Sequence, residues 1–229
     1  QSFNSKIRSV SRTVYDLSTY PGTVSGDALK TRIMNYAVLE DDLYLNGNKV
    51  SDNYKNILRT QTNIKAIPAT VNVRYAVTTT RAPIRNLPTG QGLFYYAADK
   101  EFDVLQETCL DPGEPVVILH QSANTYFYYV QSHNYSGWIS RFNVGVTDKK
   151  TWQQFVKPKD FLVVTDAKYA LKVGKNEVLY QQGARLPVVA EQPTFYTVEA
   201  PVRQPNGNLA KQRLNVPKIS KAVHKGYLP

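Results

Sequence analysis

Residues 102–139 read FDVLQETCLDPGEPVVILHQSANTYFYYVQSHNYSGWI, and the punctuation of that stretch decides the fold. Leu105–Leu110 is predicted as a strand, Asp111-Pro112-Gly113 supplies turn chemistry, and Glu114-Pro115 leads into the apolar run Val116-Val117-Ile118-Leu119. Gln121-Ser122-Ala123-Asn124 is a polar turn, Thr125 to Gln131 an aromatic strand, and Asn134-Tyr135-Ser136-Gly137 turns the chain into Trp138-Ile139. Strands this short cannot bury an apolar face alone. Consecutive ones therefore pair as a tight β-meander, the core of a small barrel.

On the N-terminal side, Val71-Asn72-Val73-Arg74-Tyr75-Ala76-Val77 alternates apolar and polar residues at first, as a half-buried strand does, and leads the chain into the barrel. Thr78–Asp99 is rich in Pro, Gly and Thr, with Pro83, Pro88, Gly90 and Gly92, and is long enough for a functional loop. Further back, Ser25 is placed to cap a short amphipathic helix, with Asp27 in its first turn and Leu29, Ile33, Met34 and Tyr36 or Ala37 at helical spacing. Asn46-Gly47-Asn48 is a turn, Ser51 or Asp52 caps a second helix carrying Tyr54, Ile57 and Leu58, and Ile67-Pro68 closes the helical part. Residues 1–14 lack apolar periodicity and read as a lead-in.

On the C-terminal side, Thr147–Lys159 joins two modules and is predicted to hold a helical turn, because Trp152, Phe155 and Val156 stand at i, i+3, i+4. A second set of short strands follows: Phe161–Thr165, Tyr169–Val173, Val178–Tyr180, Arg185–Val189, Phe195–Ala200 and Leu209–Val216, punctuated by Gly174, Gly183 and Asn206-Gly207. Pro217–Pro229 shows no strand alternation and reads as a linker or tail.

The strand order, with a Gly-Trp pair opening the last strand, resembles a bacterial SH3 domain. The segments FDVLQETCLDPGEPVVILHQSA and SHNYSGWI are similar to the first of two SH3 modules in a subgroup of NlpC-type cell-wall cysteine peptidases, which cut peptidoglycan stem peptides between γ-D-glutamate and a diamino acid. Tyr15-Asp16-Leu17-Ser18-Thr19-Tyr20-Pro21-Gly22 resembles the opening of the helical segment that precedes those modules, and Arg74-Tyr75-Ala76-Val77-Thr78 its exit. Phe161-Leu162-Val163-Val164-Thr165-Asp166 and Gly183-Ala184-Arg185-Leu186-Pro187 resemble the second module. The resemblance implies a mainly β chain: an N-terminal helical stabilising segment over 1–75, a first SH3-like barrel over 76–148, a second over 149–216, and a linker at 217–229 leading toward a peptidase domain absent from the sequence. In SH3 barrels the loop equivalent to Thr78–Asp99 borders the ligand groove.

Composition limits the partners. With 229 residues the chain suits two or three small domains with modest cores. No run approaches the ~18 apolar residues of a membrane helix, and no apolar signal-peptide core opens the sequence. Cys109 is the one cysteine, which excludes an intrachain disulfide and any zinc site using two thiolates. The net charge of +10 attracts polyanions of several kinds: nucleic acid, anionic lipid, teichoic acid or carboxylate-rich peptidoglycan. The 28 basic residues are scattered, with Lys149-Lys150 the one adjacent pair, so nucleic acid is not the expected partner.

No catalytic set is apparent. An NlpC-type nucleophile is a cysteine opening a helix beside a histidine base, whereas Cys109 lies in predicted strand and is followed by a turn. His120, His133 and His224 lack metal-ligand spacing, Glu40-Asp41-Asp42 reads as a solvated face or a helix end, and no phosphate-loop or dinucleotide fingerprint occurs. No cofactor or metal is expected, and the chain by itself is not expected to be an enzyme.

The resemblance adds a site. In related enzymes an acidic residue from an early strand of the first module, and a tyrosine from its Tyr-x-Gly-Trp turn, bind the free N-terminus of a stem peptide. Those roles fall on Glu107 and Tyr135, with Gln106 the alternative if the register differs by one. Because a muramyl-capped stem has no free amine, such a site selects turnover peptides. Tyr126, Phe127, Tyr128 and Tyr129 alternate across a strand, so some of these rings face away from the core, whereas Trp138 is expected to anchor it. The implied partners are peptidoglycan stem peptides and a C-terminal peptidase domain, in the cell envelope. A free-standing wall-binding or scaffold protein without a peptidase is the alternative.

Overall fold

The computed structural model describes residues 14–227, so the lead-in expected at residues 1–14 falls, Val14 apart, outside the described residues. The chain divides into two compact units whose segments interleave. One takes residues up to Val73, Pro83–Cys109 and Val117–Arg141; the other takes Arg74–Ala82, Leu110–Val116 and the residues from Phe142 on.

The first unit opens with strand β1 (Thr23–Ser25) and helix α1 (Gly26–Tyr36). Ser25 Oγ accepts from the Ala28 N–H at 3.3 Å, and Asp27 stands at the positive end of the helix. Leu29 and Ile33 are buried, whereas Met34 and Tyr36 are half exposed. A step of about 100° per residue carries Met34 off the narrow Leu29–Ile33 stripe, whereas Tyr36 is in line with the stripe but is the last residue of the helix. Strands β2 (Tyr44–Leu45) and β3 (Asn48–Lys49) form a hairpin through Asn46-Gly47, both at positive φ (51° and 81°), as a two-residue hairpin turn requires.

Helix α2 (Asp52–Gln61) is capped by Ser51, whose Oγ accepts from the Tyr54 N–H at 3.2 Å, which decides between the two expected caps. Leu58 is buried but Ile57 is exposed, and the inward place is taken instead by Lys55, 3% exposed, whose Nζ donates to the Asp41 carbonyl at 2.8 Å. Strand β4 (Thr70–Asn72) pairs antiparallel with β1. The expected single strand Val71–Val77 is therefore two: β4 ends before Val73, and β5 (Arg74–Thr78) begins the second unit.

The expected loop Thr78–Asp99 is also partly strand. Strand β6 (Ala82–Arg85) lies inside it, and beyond β6 the buried Leu87 and Leu93 join Leu39, Leu43, Val50, Leu58 and Leu105 in one apolar cluster. The helical segment is thus packed on the loop. Then come β7 (Gln106–Leu110), β8 (Pro115–Gln121), β9 (Phe127–Gln131) and β10 (Ser136–Ser140), the expected meander. Their order is β8-β9-β10-β6-β7. Trp138 in β10 is fully buried, opposite Arg85 in one register and Tyr129 in the other, with its ring edge-on to Tyr129 at 5.3 Å. Gly137 is required here: a Cβ would stand 2.7 Å from the Arg85 carbonyl oxygen.

In the second unit β5 pairs with β11 (Val144–Thr147), and helix α3 (Lys149–Val156) follows, capped by Asp148 accepting from the Thr151 N–H at 2.9 Å. Trp152 and Phe155 are buried, and the Trp152 ring lies 4.7 Å from that of Tyr75. Strands β12 (Phe161–Val164), β13 (Lys168–Val173), β14 (Asn176–Gln181), β15 (Arg185–Glu191), β16 (Phe195–Arg203) and β17 (Leu209–Pro217) come next. The last strand, β18 (Val223–Lys225), falls in the segment expected to be tail. It pairs with β12, Val163 opposite His224, because three residues at a sheet edge gain ladder hydrogen bonds without needing an alternating pattern. The sheet runs β17-β16-β15-β12-β18, with β13–β14 as a separate hairpin over the same core, which includes Leu162, Tyr180, Leu186 and Val198. The chain is mainly β, with a short helical segment ahead of the meander.

Candidate functional site

β7 carries Glu107 near its start, and the Ser132–Ser136 turn between β9 and β10 carries Tyr135. The turn is held by two neighbouring side chains, Ser132 and Gln131. Ser132 Oγ accepts from the Tyr135 N–H at 2.9 Å and donates to the Tyr135 carbonyl at 3.0 Å, and the buried Gln131 amide donates to the same carbonyl at 3.0 Å. Gln131 is held from the other side by Arg32 of α1, whose Nη1 donates to its Oε1 at 3.1 Å.

With its backbone so fixed, Tyr135 donates its phenolic hydrogen to Glu107 Oε2. Asn86, just beyond β6, brings Nδ2 to 3.3 Å from Glu107 Oε1. Burial first, then the hydrogen bond and the charge of Glu107, push the Tyr135 phenol up to about 12, so it stays a donor throughout the physiological range. The carboxylate accepts from two sides, and its roughly four lone-pair sites leave room for a further donor.

The structure thus brings Glu107 and Tyr135 together. Gln106 is exposed in the same strand, with its N–H on the Asp103 carbonyl at 3.1 Å, and the Tyr135 hydroxyl bonds to Glu107. Trp138, three residues past Tyr135, is core. Asn86 was not legible in the sequence, since an asparagine in a Pro- and Gly-rich stretch carries no signal of its own.

Beneath the site Arg85 Nη1 meets Asp103 Oδ2 at 2.7 Å and Arg85 Nη2 donates to the Gln91 carbonyl at 2.7 Å. Asp103 Oδ1 accepts from the Leu93 and Leu105 N–H groups, each at 3.0 Å. Four polar contacts therefore tie the 86–105 loop, which runs from Asn86 to just before Glu107.

Cys109 stands half-buried within β7, away from any helix N-terminus. The His120 ring places Nε2 3.1 Å from the Asn63 carbonyl oxygen, and burial pushes its pKa below the ordinary imidazole range. No group of three or more His, Cys, Asp and Glu that could hold a metal occurs among the described residues. Among them, too, no helix is long and apolar enough to cross a membrane.

Residues 93–140 match the SH3 domain family of SH3b1 type. The SH3 match takes in Glu107, Tyr135 and Trp138 and leaves Asn86 just outside it. The fold over 86% of the chain is similar to that of an NlpC/P60 endopeptidase from Photobacterium damselae subsp. piscicida, with a TM-score of 0.65 and 21% identity. The chain spans 44% of the length of that protein. An NlpC/P60 family protein from Bacillus cereus aligns over 66% of this chain and 56% of its own, with a TM-score of 0.43 and 14% identity. No curated protein sequence matches the chain.

Proposed function

We propose that this chain is the non-catalytic, wall-binding region of an NlpC-type γ-D-glutamyl-diamino acid endopeptidase, working in the cell envelope. Its helical segment (1–75) and two SH3-like barrels (76–148 and 149–216) position stem peptides for a peptidase domain that follows residues 217–229. The SH3 match and the likeness in fold to an NlpC/P60 endopeptidase support the wall-binding part of this reading. The observation that carries the finer part is the Tyr135–Glu107 hydrogen bond, with Asn86 on the other carboxylate oxygen.

The chemistry is that of an amine clamp. An α-ammonium group brought to the carboxylate of Glu107 makes a charge-assisted hydrogen bond, of about 1.5–3 kcal/mol, while Tyr135 and Asn86 fix the carboxylate plane. An acylated N-terminus carries no charge and forms no such charge-assisted bond with Glu107, so it is held less tightly than a free one.

The test uses the chain joined to a peptidase domain. Glu107→Gln and Tyr135→Phe should lower kcat/KM for stem peptides with a free N-terminus by roughly tenfold or more, and for N-acetylated peptides by much less. Equal losses on both substrates would refute the clamp.

A further inference from the structure

The positive charge is not evenly shared along the chain. Residues 142–229 carry 14 Lys and Arg against 6 Asp and Glu, which accounts for eight of the ten net charges. Within the second unit, a cleft of about 490 Å³ is lined by Lys150 and Lys157 at the two ends of α3, by Lys159, by Lys211 of β17, and by Val188 and Val189 of β15. Glu199 of β16 also lines it, but Lys211 Nζ stands 2.6 Å from its Oε2 and Arg213 Nε 3.8 Å from its Oε1, so that acid is answered within the protein. Lys211 also donates to Gln154 Oε1 of α3 at 2.9 Å, which joins helix and sheet across the cleft. Lys150, Lys157 and Lys159 are exposed, and Asp160, whose charge also acts on Lys225, is the remaining acid of the lining.

Local helix preference does not account for this. Lys149 and Lys150 occupy the first turn of α3, where the helix dipole disfavours cations. Lys149 lies 5.9 Å from the Tyr75 ring centroid, which gives it a structural role. Lys150 lines the cleft, and a residue set against its own local preference marks a site with another purpose.

The lining also narrows the ligand. It holds no aromatic ring, so nucleobases and sugar rings have nothing to stack on. Its cations are lysines, compact point charges without the planar fork that grips a carboxylate in two places. Val189, 43% exposed, and Val188 offer an aliphatic floor between the charges. A flexible chain that presents phosphates at intervals, with short, ring-free spacers small enough to lie across the valines, suits that surface. We propose that this cleft binds a soluble phosphodiester polymer whose phosphates are joined by short polyol spacers, independently of Glu107 and Tyr135.

The experiment measures binding of short poly(glycerol phosphate) to the whole chain by calorimetry across a salt series. The unaltered protein should bind, with affinity falling as salt rises. Lys150→Glu with Lys159→Glu should weaken binding by about tenfold or more and flatten the salt dependence, whereas Lys168→Glu with Lys172→Glu, an equal charge change on β13, should leave it within about twofold. Thermal melting of both variants at the unaltered midpoint keeps the comparison one of binding. No binding, or equal loss in the two variants, overturns the proposal. Tighter binding of poly-glutamate would reassign the cleft to acidic peptides, and binding of phosphatidylglycerol vesicles without binding of the polymer would reassign it to a membrane surface; each result overturns it.

Discussion

Arg85 and Asp103 form an ion pair at 2.7 Å with side chains only 8% and 17% exposed, and each partner also holds backbone of the segment between them. Removing one partner leaves the other charge buried without an answer, which costs about 3–5 kcal/mol. Asp103→Ala should therefore lower the stability of the first unit by that amount in urea titrations. Asp103→Asn, which keeps an acceptor for Leu93 and Leu105, should cost clearly less. Equal costs would show that the charge pairing contributes nothing beyond the backbone contacts.

Gly137 stands so close to β6 that an added Cβ would lie 2.5 Å from Ile84 Cγ2 and 2.7 Å from the Arg85 carbonyl oxygen. Gly137→Ala should destabilise the first unit by about 1–3 kcal/mol, since backbone must give way. It should also weaken the Tyr135–Glu107 contact, two residues away. A variant as stable as the parent would contradict the close approach.

Trp138 fills the middle of the meander. Trp138→Ala should cost about 3–5 kcal/mol and Trp138→Phe much less, measured by the same titration. A small loss in the alanine variant would mean that the ring is not central to the core.

The shifted groups set two pH dependences of opposite sign. His120 has its folded-state pKa depressed by burial, so its contribution is present above the unfolded value of about 6.5 and is lost as pH falls through the folded value. Nuclear magnetic resonance should find His120 titrating below about 6.5; a value above it would contradict the buried, neutral ring hydrogen-bonded to Asn63. Tyr135 has its folded-state pKa raised to about 12, so its contribution is present below the unfolded value of about 10 and is lost as pH rises toward 12. Tyr135→Phe should accordingly flatten the alkaline loss of stability between those values, and an unchanged profile would contradict the phenol–carboxylate bond.

The meander was legible because its turns carry their chemistry openly, Pro-Gly at 112–113 and Asn134 ahead of the Gly-Trp pair, between apolar runs. The first two helices were legible from Ser25 and Ser51, whose caps form, and the third from the spacing of Trp152, Phe155 and Val156. What the sequence concealed depends on partners distant in the chain. β6 was hidden by its proline and by its short pairing to β10, and the break at Val73 by an alternation that runs across it. The inward Lys55 carries no mark in the sequence, because the carbonyl that receives it, on Asp41, is placed by tertiary packing. The Glu107–Tyr135 pairing came from resemblance, and the third member, Asn86, only from geometry.

The chain has two tryptophans, and the fold assigns one to each unit: Trp138 to the first and Trp152 to the second, both fully buried. Neither indole N–H has a hydrogen-bond partner among the described residues, so both rings report on apolar surroundings. The molecule thus carries a separate optical gauge for each unit. Emission from a Trp152→Phe protein follows the first unit, emission from a Trp138→Phe protein follows the second, and whether the two curves coincide measures how far the units melt as one cooperative body.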